Sequence, residues 1–330
     1  MTPLLGHQAQ IAAFVEAMRG GRLHHAWLLA GPKGVGKGGF ARAAAARLLA
    51  EAAGPPPAGD GLDVPADHPT ARLIAADAHP DFRVIERLAR EGRGEELARN
   101  ISIDQIRALV PMLGMAPALS TRRAIIIDAV DDLERAGANA LLKSLEEPPA
   151  GTIFLLVSHS PGRLLPTIRS RCRILRFQAL GDDVMTAALA GALPDAAPDE
   201  LAALVRAGGG APGQALRFAG LDLAGLDAAL DRIADTGDPR NAERLALAKA
   251  LSAKAVQPRY QAFLERAPAF LVERARTARG AQLDAILTEW ERARDLAASA
   301  LPLSLDPQAT VFQLCGHVAA LARTRAHAKG

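Results

Sequence analysis

Residues Gly31-Pro32-Lys33-Gly34-Val35-Gly36-Lys37-Gly38 carry the spacing of a phosphate-binding loop, Gly-x-x-x-x-Gly-Lys, with one member missing. In such a loop successive backbone N–H groups turn inward onto phosphate oxygens. The lysine reaches the β and γ phosphates, and a following Ser or Thr holds Mg²⁺. Position 38 is Gly, so the cradle is intact and a metal ligand is absent. A second candidate is Asp128, at the end of the apolar run Ile125-Ile126-Ile127. A carboxylate so placed sits beside the loop and helps to hold Mg²⁺. The next residue usually supplies a Glu that activates water, and here it is Ala129. Two catalytic groups are therefore missing. Asp131 and Asp132 are expected to point elsewhere and to cap a helix beginning near Leu133.

These residues need a scaffold, and the flanks supply one. Ala26-Trp27-Leu28-Leu29-Ala30 reads as a buried strand, the loop follows at once, and residues 40–53 are rich in Ala, Arg and Leu, with strong helix propensity. Strand, Gly-rich loop and helix in that order separate a phosphate loop from a bland Gly-rich turn. Further strands are expected at 82–85, 124–127, 152–157 and 174–177. Most are continuous apolar runs, as strands buried on both faces are, which predicts a parallel sheet covered by helices. Pro55-Pro56-Pro57-Ala58-Gly59-Asp60-Gly61 reads as a flexible insertion. Short helices follow from 180 to 217, broken at Gly208-Gly209-Gly210-Ala211-Pro212-Gly213. From about 223 onward the pattern is helical throughout, and Leu283, Ile286, Leu287 and Trp290 read as a helix-core stripe. The fold expected is α/β followed by all-α: an α/β phosphate-loop domain over 1–178, a small helical domain over 179–222 and a helical domain over 223–330.

Composition narrows the classes. A chain of 330 residues with 49 % hydrophobic residues is long enough for two or three cored domains. No apolar run approaches the roughly 20 residues of a membrane span. The start, Met1-Thr2-Pro3-Leu4-Leu5-Gly6-His7, lacks the regions of a signal peptide. Cys172 and Cys315 are the only cysteines, which argues against a disulfide framework, so a cytoplasmic location is expected. A net charge of +3 permits nucleic-acid contact without demanding it. Aromatics are 4 %, with Tyr260 the single tyrosine, too few for a stand-alone single-strand binder.

Longer segments then point to a family. Residues 22–37, with Leu23-His24-His25-Ala26 ahead of the strand, Ile101-Ser102-Ile103-Asp104-Gln105-Ile106-Arg107, the stretch from Gly137-Ala138-Asn139 to Glu146-Glu147-Pro148-Pro149, and Arg163-Leu164-Leu165-Pro166-Thr167-Ile168-Arg169-Ser170-Arg171-Cys172 resemble bacterial clamp-loader subunits of DNA polymerase III, within the AAA+ superfamily. The resemblance covers the first 180 residues. The rest matches in character only, apart from Ser304-Leu305-Asp306-Pro307. It implies that the last two domains are a lid and an oligomerisation collar. It also implies ATP or ADP as ligand at Gly31, Gly34, Gly36, Lys37 and Asp128. Arg171 would be an arginine finger reaching the ATP site of a neighbouring subunit, a role that suits a rigid fork of donors. Ser158 either senses the γ-phosphate or simply caps its strand end. Expected partners are the gamma/tau and delta subunits and, through them, the sliding clamp and primer-template DNA.

The departures matter as much. Active relatives carry an Arg in the lid that contacts ATP, and the matching position here is Gly213; Arg217, one turn later, does not substitute. Many relatives carry a four-cysteine zinc module after the first helix. Residues 53–81 contain no Cys, and His68 and His79 alone cannot make a tetrahedral site, so no zinc is expected. Together with Gly38 and Ala129, this favours a largely non-catalytic subunit of the polymerase holoenzyme over two rivals. One is a catalytic gamma/tau-type ATPase or other AAA+ motor. The other, a phosphate-loop kinase, leaves Ser170-Arg171-Cys172 unexplained.

Overall fold

The computed structural model describes residues 4–21, 23–89 and 97–327. Met1, Thr2, Pro3 and Arg22, which belong to segments singled out above, lie outside these. The chain divides into two compact units, one ending at Val184 and the other starting at Met185.

The first unit is a five-stranded parallel sheet with helices. Its elements are α1 (Gln8–Arg19), β1 (Ala26–Ala30), α2 (Lys37–Ala53), α3 (Pro69–Ala75), β2 (Phe82–Glu86), α4 (Ile103–Arg107), α5 (Val110–Leu113), β3 (Arg123–Asp128), α6 (Arg135–Glu146), β4 (Thr152–Ser158), α7 (Pro166–Arg169) and β5 (Arg173–Arg176). Strand order is β2-β3-β4-β1-β5. The three central strands are the continuous apolar runs, and nearly every residue of β1, β3 and β4 is buried. The edge strands are not: β5 turns Arg173 and Arg176 to solvent, which also discourages pairing with another edge. One face of the sheet packs an aromatic cluster in which Phe40 meets both Phe14 and Phe177 edge-on. A second cluster joins Leu28, Ile127 and Phe154 to Leu141, Leu145 and Ile168.

Register places the site. Ala30 pairs with Ser158, and Asp128 with Val157. The loop after β1, the acid ending β3 and the hydroxyl ending β4 thus share the carboxyl edge of the sheet, where open α/β sheets bind ligands.

The 55–61 segment is not a loose insertion. Arg47 of α2 is fully buried and donates to the carbonyls of Pro57, Ala58, Gly59 and Asp63, with Glu51 on its Nε. Arg19 adds a bond to Asp60. A turn-rich composition predicts polar, irregular chain; it does not reveal that a distant guanidinium collects its carbonyls.

The second unit holds α8 (Asp182–Ala192, which spans the division), α9 (Pro198–Gly208), α10 (Pro212–Ala215), α11 (Leu223–Thr236), α12 (Ala242–Leu251), α13 (Gln257–Ala275), α14 (Gly280–Ala300) and α15 (Pro307–His327). Apolar faces of α11 to α15 supply its core. A buried ion cluster crosses it: Arg266 of α13 binds Asp227 of α11 and Glu273, and Arg206 of α9 reaches the same Asp227 at 3.0 Å. The expected core stripe on α14 holds only in part. Ile286 is buried, whereas Leu287 is 40 % exposed and Trp290 is half-buried under the Arg294 guanidinium. Helical spacing gives a stripe but not which flank of it meets a neighbour.

Candidate functional site

The loop leaves β1 at Gly31, where the chain passes against β5. A Cβ on Gly31 would run into the Phe177 carbonyl oxygen, so only glycine fits, and its N–H donates to Ser158 O at 3.2 Å. Gly34 and Gly36 adopt positive φ of 83° and 103°, which turns the intervening amides inward. α2 then starts at Lys37 with no side chain capping its first N–H groups, leaving them for an anion. His7 bonds Val35 O at 2.7 Å and steadies the loop from outside.

Lys37 is 2 % exposed. Its ammonium donates to Gly31 O at 2.7 Å and Pro32 O at 2.5 Å. Burial pulls its pKa down to about 8 against the attraction of Asp128 and Asp131. Lys33 is exposed on the same loop.

Asp128 ends β3 next to the loop, as expected. Its Oδ2 lies 2.5 Å from where a Gly38 Cβ would stand. The missing hydroxyl side chain and this carboxylate would compete for one space. Burial pushes the Asp128 carboxyl above its ordinary range, with Arg42 opposing and Glu86 adding to the push. Ala129, where an activating Glu would sit, is buried.

The expectation for Asp131 and Asp132 is corrected here. They sit in a short 3-10 turn, Val130–Asp132, and neither caps α6, whose cap position is Glu134. Asp131 instead accepts from Ser158 Oγ at 2.9 Å, His159 N at 2.6 Å and Ser160 N at 3.2 Å. It therefore ties the end of β4 to the end of β3. Asp132 pairs with Arg87 at 3.1 Å. Ser158 is thus at the sheet edge beside Gly31, with its hydroxyl proton given to Asp131. His159 was not singled out from sequence. Its Nδ1 is buried without a partner, and its pKa is lowered, first by burial and then by Lys37, with Lys33 adding to it. No local pattern marks His159, because the acid that holds its amide and the lysines that act on its ring lie far along the chain.

Arg171 follows α7. Its Nη2 stands 2.8 Å from Glu146 Oε1, and its Nη1 donates to Thr167 O at 2.9 Å. Glu146 closes α6, so Arg171 also offsets an acid at the negative end of a helix. Cys172 beside it is a half-buried thiol, pushed up to about 12 by desolvation, which disfavours the reactive thiolate. In the second unit, Gly213 lies in α10 and Arg217 is forked onto Glu265. His68 caps α3 by accepting from Thr70 N, and His79 accepts from Asp81 N; both are structural acceptors.

A divalent cation does not fit this donor set. The hydroxyl is absent, Asp128 is pressed against Gly38, and Asp131 and Asp132 are engaged. Among the described residues no group of His, Cys, Asp or Glu forms a metal site, and no helix is long and apolar enough to cross a membrane. The phosphate cradle, by contrast, fits an anion.

Comparison with known proteins accords with this geometry. The family profile described as DNA polymerase III, delta subunit, matches residues 6–181. DNA polymerase III subunit delta' from Pseudomonas aeruginosa is 39 % identical over 203 residues, covering 61 % of this chain and 58 % of that protein. DNA polymerase III subunit gamma/tau from Mycobacterium tuberculosis is 34 % identical over 228 residues, covering 67 % of this chain and 37 % of that protein. The matched stretch is less than two thirds of either relative's own length. A DNA polymerase III gamma subunit-related protein from Thermotoga maritima has the same fold, with a TM-score of 0.52 at 16 % identity over 95 % of this chain and 100 % of that one. The profile takes in the phosphate loop, the strand ending in Asp128 and the Ser170-Arg171-Cys172 segment, and the chain belongs to the DNA polymerase III delta subunit family.

Proposed function

We propose that this chain is a clamp-loader subunit of the replicative DNA polymerase III holoenzyme. It helps to load the sliding clamp onto primed DNA, hydrolyses little ATP itself, and supplies Arg171 to the ATP site of a neighbouring subunit. Its partners are the gamma/tau and delta subunits, and it meets clamp and primer-template DNA through them. Gly31, Gly34, Gly36 and Lys37 cradle the phosphates of ATP or ADP, with Asp128 and Ser158 at the rim. Residues 179–222 act as a lid and residues 223–330 as a collar that joins other subunits.

One observation supports this reading most: a cradle built to bind phosphate stands among groups unable to drive hydrolysis. Gly38 and Ala129 replace the metal hydroxyl and the activating Glu, while Arg171 is engaged by Glu146 and Thr167 rather than by the loop. A subunit of that kind binds and positions but leaves the chemistry to a neighbour. Losing one well-placed catalytic group costs on the order of a hundredfold. The purified chain is therefore expected to turn over ATP at background rates. Turnover near one per second would favour a catalytic ATPase instead.

A further inference from the structure

The site's charge arrangement carries a more specific conclusion, which rests on the nucleotide-site reading above. We propose that the site takes nucleotide phosphates without a divalent cation, Lys33 and Lys37 meeting the charge that a metal would otherwise neutralise and His159 offering them a ring N–H. The carboxylates at the sheet edge are spent. Asp131 would have to give up the Ser158 hydroxyl and the amides of His159 and Ser160 to turn toward a metal. Asp132 would have to leave Arg87. Asp128 already fills the volume beside Gly38 from which a hydroxyl ligand would project.

The nitrogen groups are arranged the opposite way. Asp131 grips the His159 amide and so fixes where the imidazole starts. Nδ1 of that ring is buried and bonds nothing among the described residues. The ring feels Lys37 and Lys33 electrostatically, with Asp131 and Asp132 as the opposing charges. A buried ring nitrogen without a partner, within the field of two lysines, is satisfied when an anion sits there to accept its N–H. The unbonded first N–H groups of α2 and the glycine-turned amides of the loop point to the same ligand chemistry, a di- or triphosphate.

The test is calorimetric titration of the full chain with ADP, in EDTA and in excess Mg²⁺. The dissociation constants should agree within about threefold, and His159→Ala should weaken both by about tenfold, the size of one hydrogen bond to a charged group. His159→Asn, which keeps an uncharged N–H donor near the position of Nδ1, should recover most of the loss, and melting curves of both variants check that they fold. Mn²⁺ spectroscopy should show no ion immobilised by the protein with ADP beyond what ADP alone binds. Binding at least tenfold tighter with Mg²⁺, or an ADP-dependent Mn²⁺ site on the protein, overturns the proposal and leaves the nucleotide site standing. Equal affinity of His159→Ala and the unaltered chain overturns the role of His159. No ADP binding under either condition removes the nucleotide-site reading itself.

Discussion

At the scale of single residues, the phosphate loop is the most legible feature, because its chemistry is written in consecutive positions. Gly31, Gly34, Gly36 and Lys37 stand where the spacing puts them, and Asp128 lies beside Gly38. The groups that escape the sequence act across it: Asp131 reaches the end of β4, Glu146 engages Arg171, and His159 stands near both lysines. Lys37 has a measurable signature. Its pKa is about 8 in the fold against 10.5 for an ordinary lysine. The folded chain thus sheds this proton at lower pH than the unfolded one. The burial penalty is full below pH 8 and fades as the pH climbs toward 10.5, so stability rises with pH across that window. Lys37→Met should stabilise the protein by ~1–3 kcal/mol at pH 7, with the gain shrinking above pH 8. Urea unfolding at pH 7 and pH 10 measures it, and a destabilised variant at pH 7 would contradict a site that holds its lysine at a cost to the fold.

Among elements, periodicity and apolar runs reveal what is buried from both sides. β1, β3 and β4 are plain in the sequence for that reason, and the helix after the loop follows from its Ala-rich composition. Edges and faces are harder. The α14 stripe leaves Leu287 in solvent because spacing cannot tell which side of a helix has a neighbour. The 55–61 segment reads as loose because its anchor is Arg47, on the preceding helix. That anchor is substantial: four carbonyls and a carboxylate share one buried guanidinium. Removing it strands the acceptors and leaves Glu51 only its longer 3.8 Å contact with Arg19. Arg47→Ala should cost ~3–5 kcal/mol in urea unfolding and make cleavage by protease appear within 55–61. A loss under 1 kcal/mol would mean that the turn holds itself.

For the whole molecule, the α/β-then-helical order was evident from where the strand pattern stops. The packing of α9 against α11 through Arg206, Asp227 and the Glu200 bond to Ala224 N was not, since it joins segments on both sides of residue 222. A cut between 184 and 185 therefore respects the packing better than one at 222. A fragment of residues 1–184 should fold, shown by a cooperative melt, and should fail to co-elute with gamma/tau and delta subunits, because the proposed collar is gone. Stoichiometric co-elution would place the assembly contacts in the α/β unit. The central claim, that this chain lends Arg171 to a neighbour's chemistry, is tested most directly by ATP turnover in the reconstituted clamp loader carrying Arg171→Ala. Arginine fingers contribute roughly 10³–10⁵ at the site they serve. With one site of several affected, the account predicts an intact assembly, a partial fall in ATP turnover and a deeper fall in clamp loading. Turnover and loading equal to those of the unaltered assembly would contradict it.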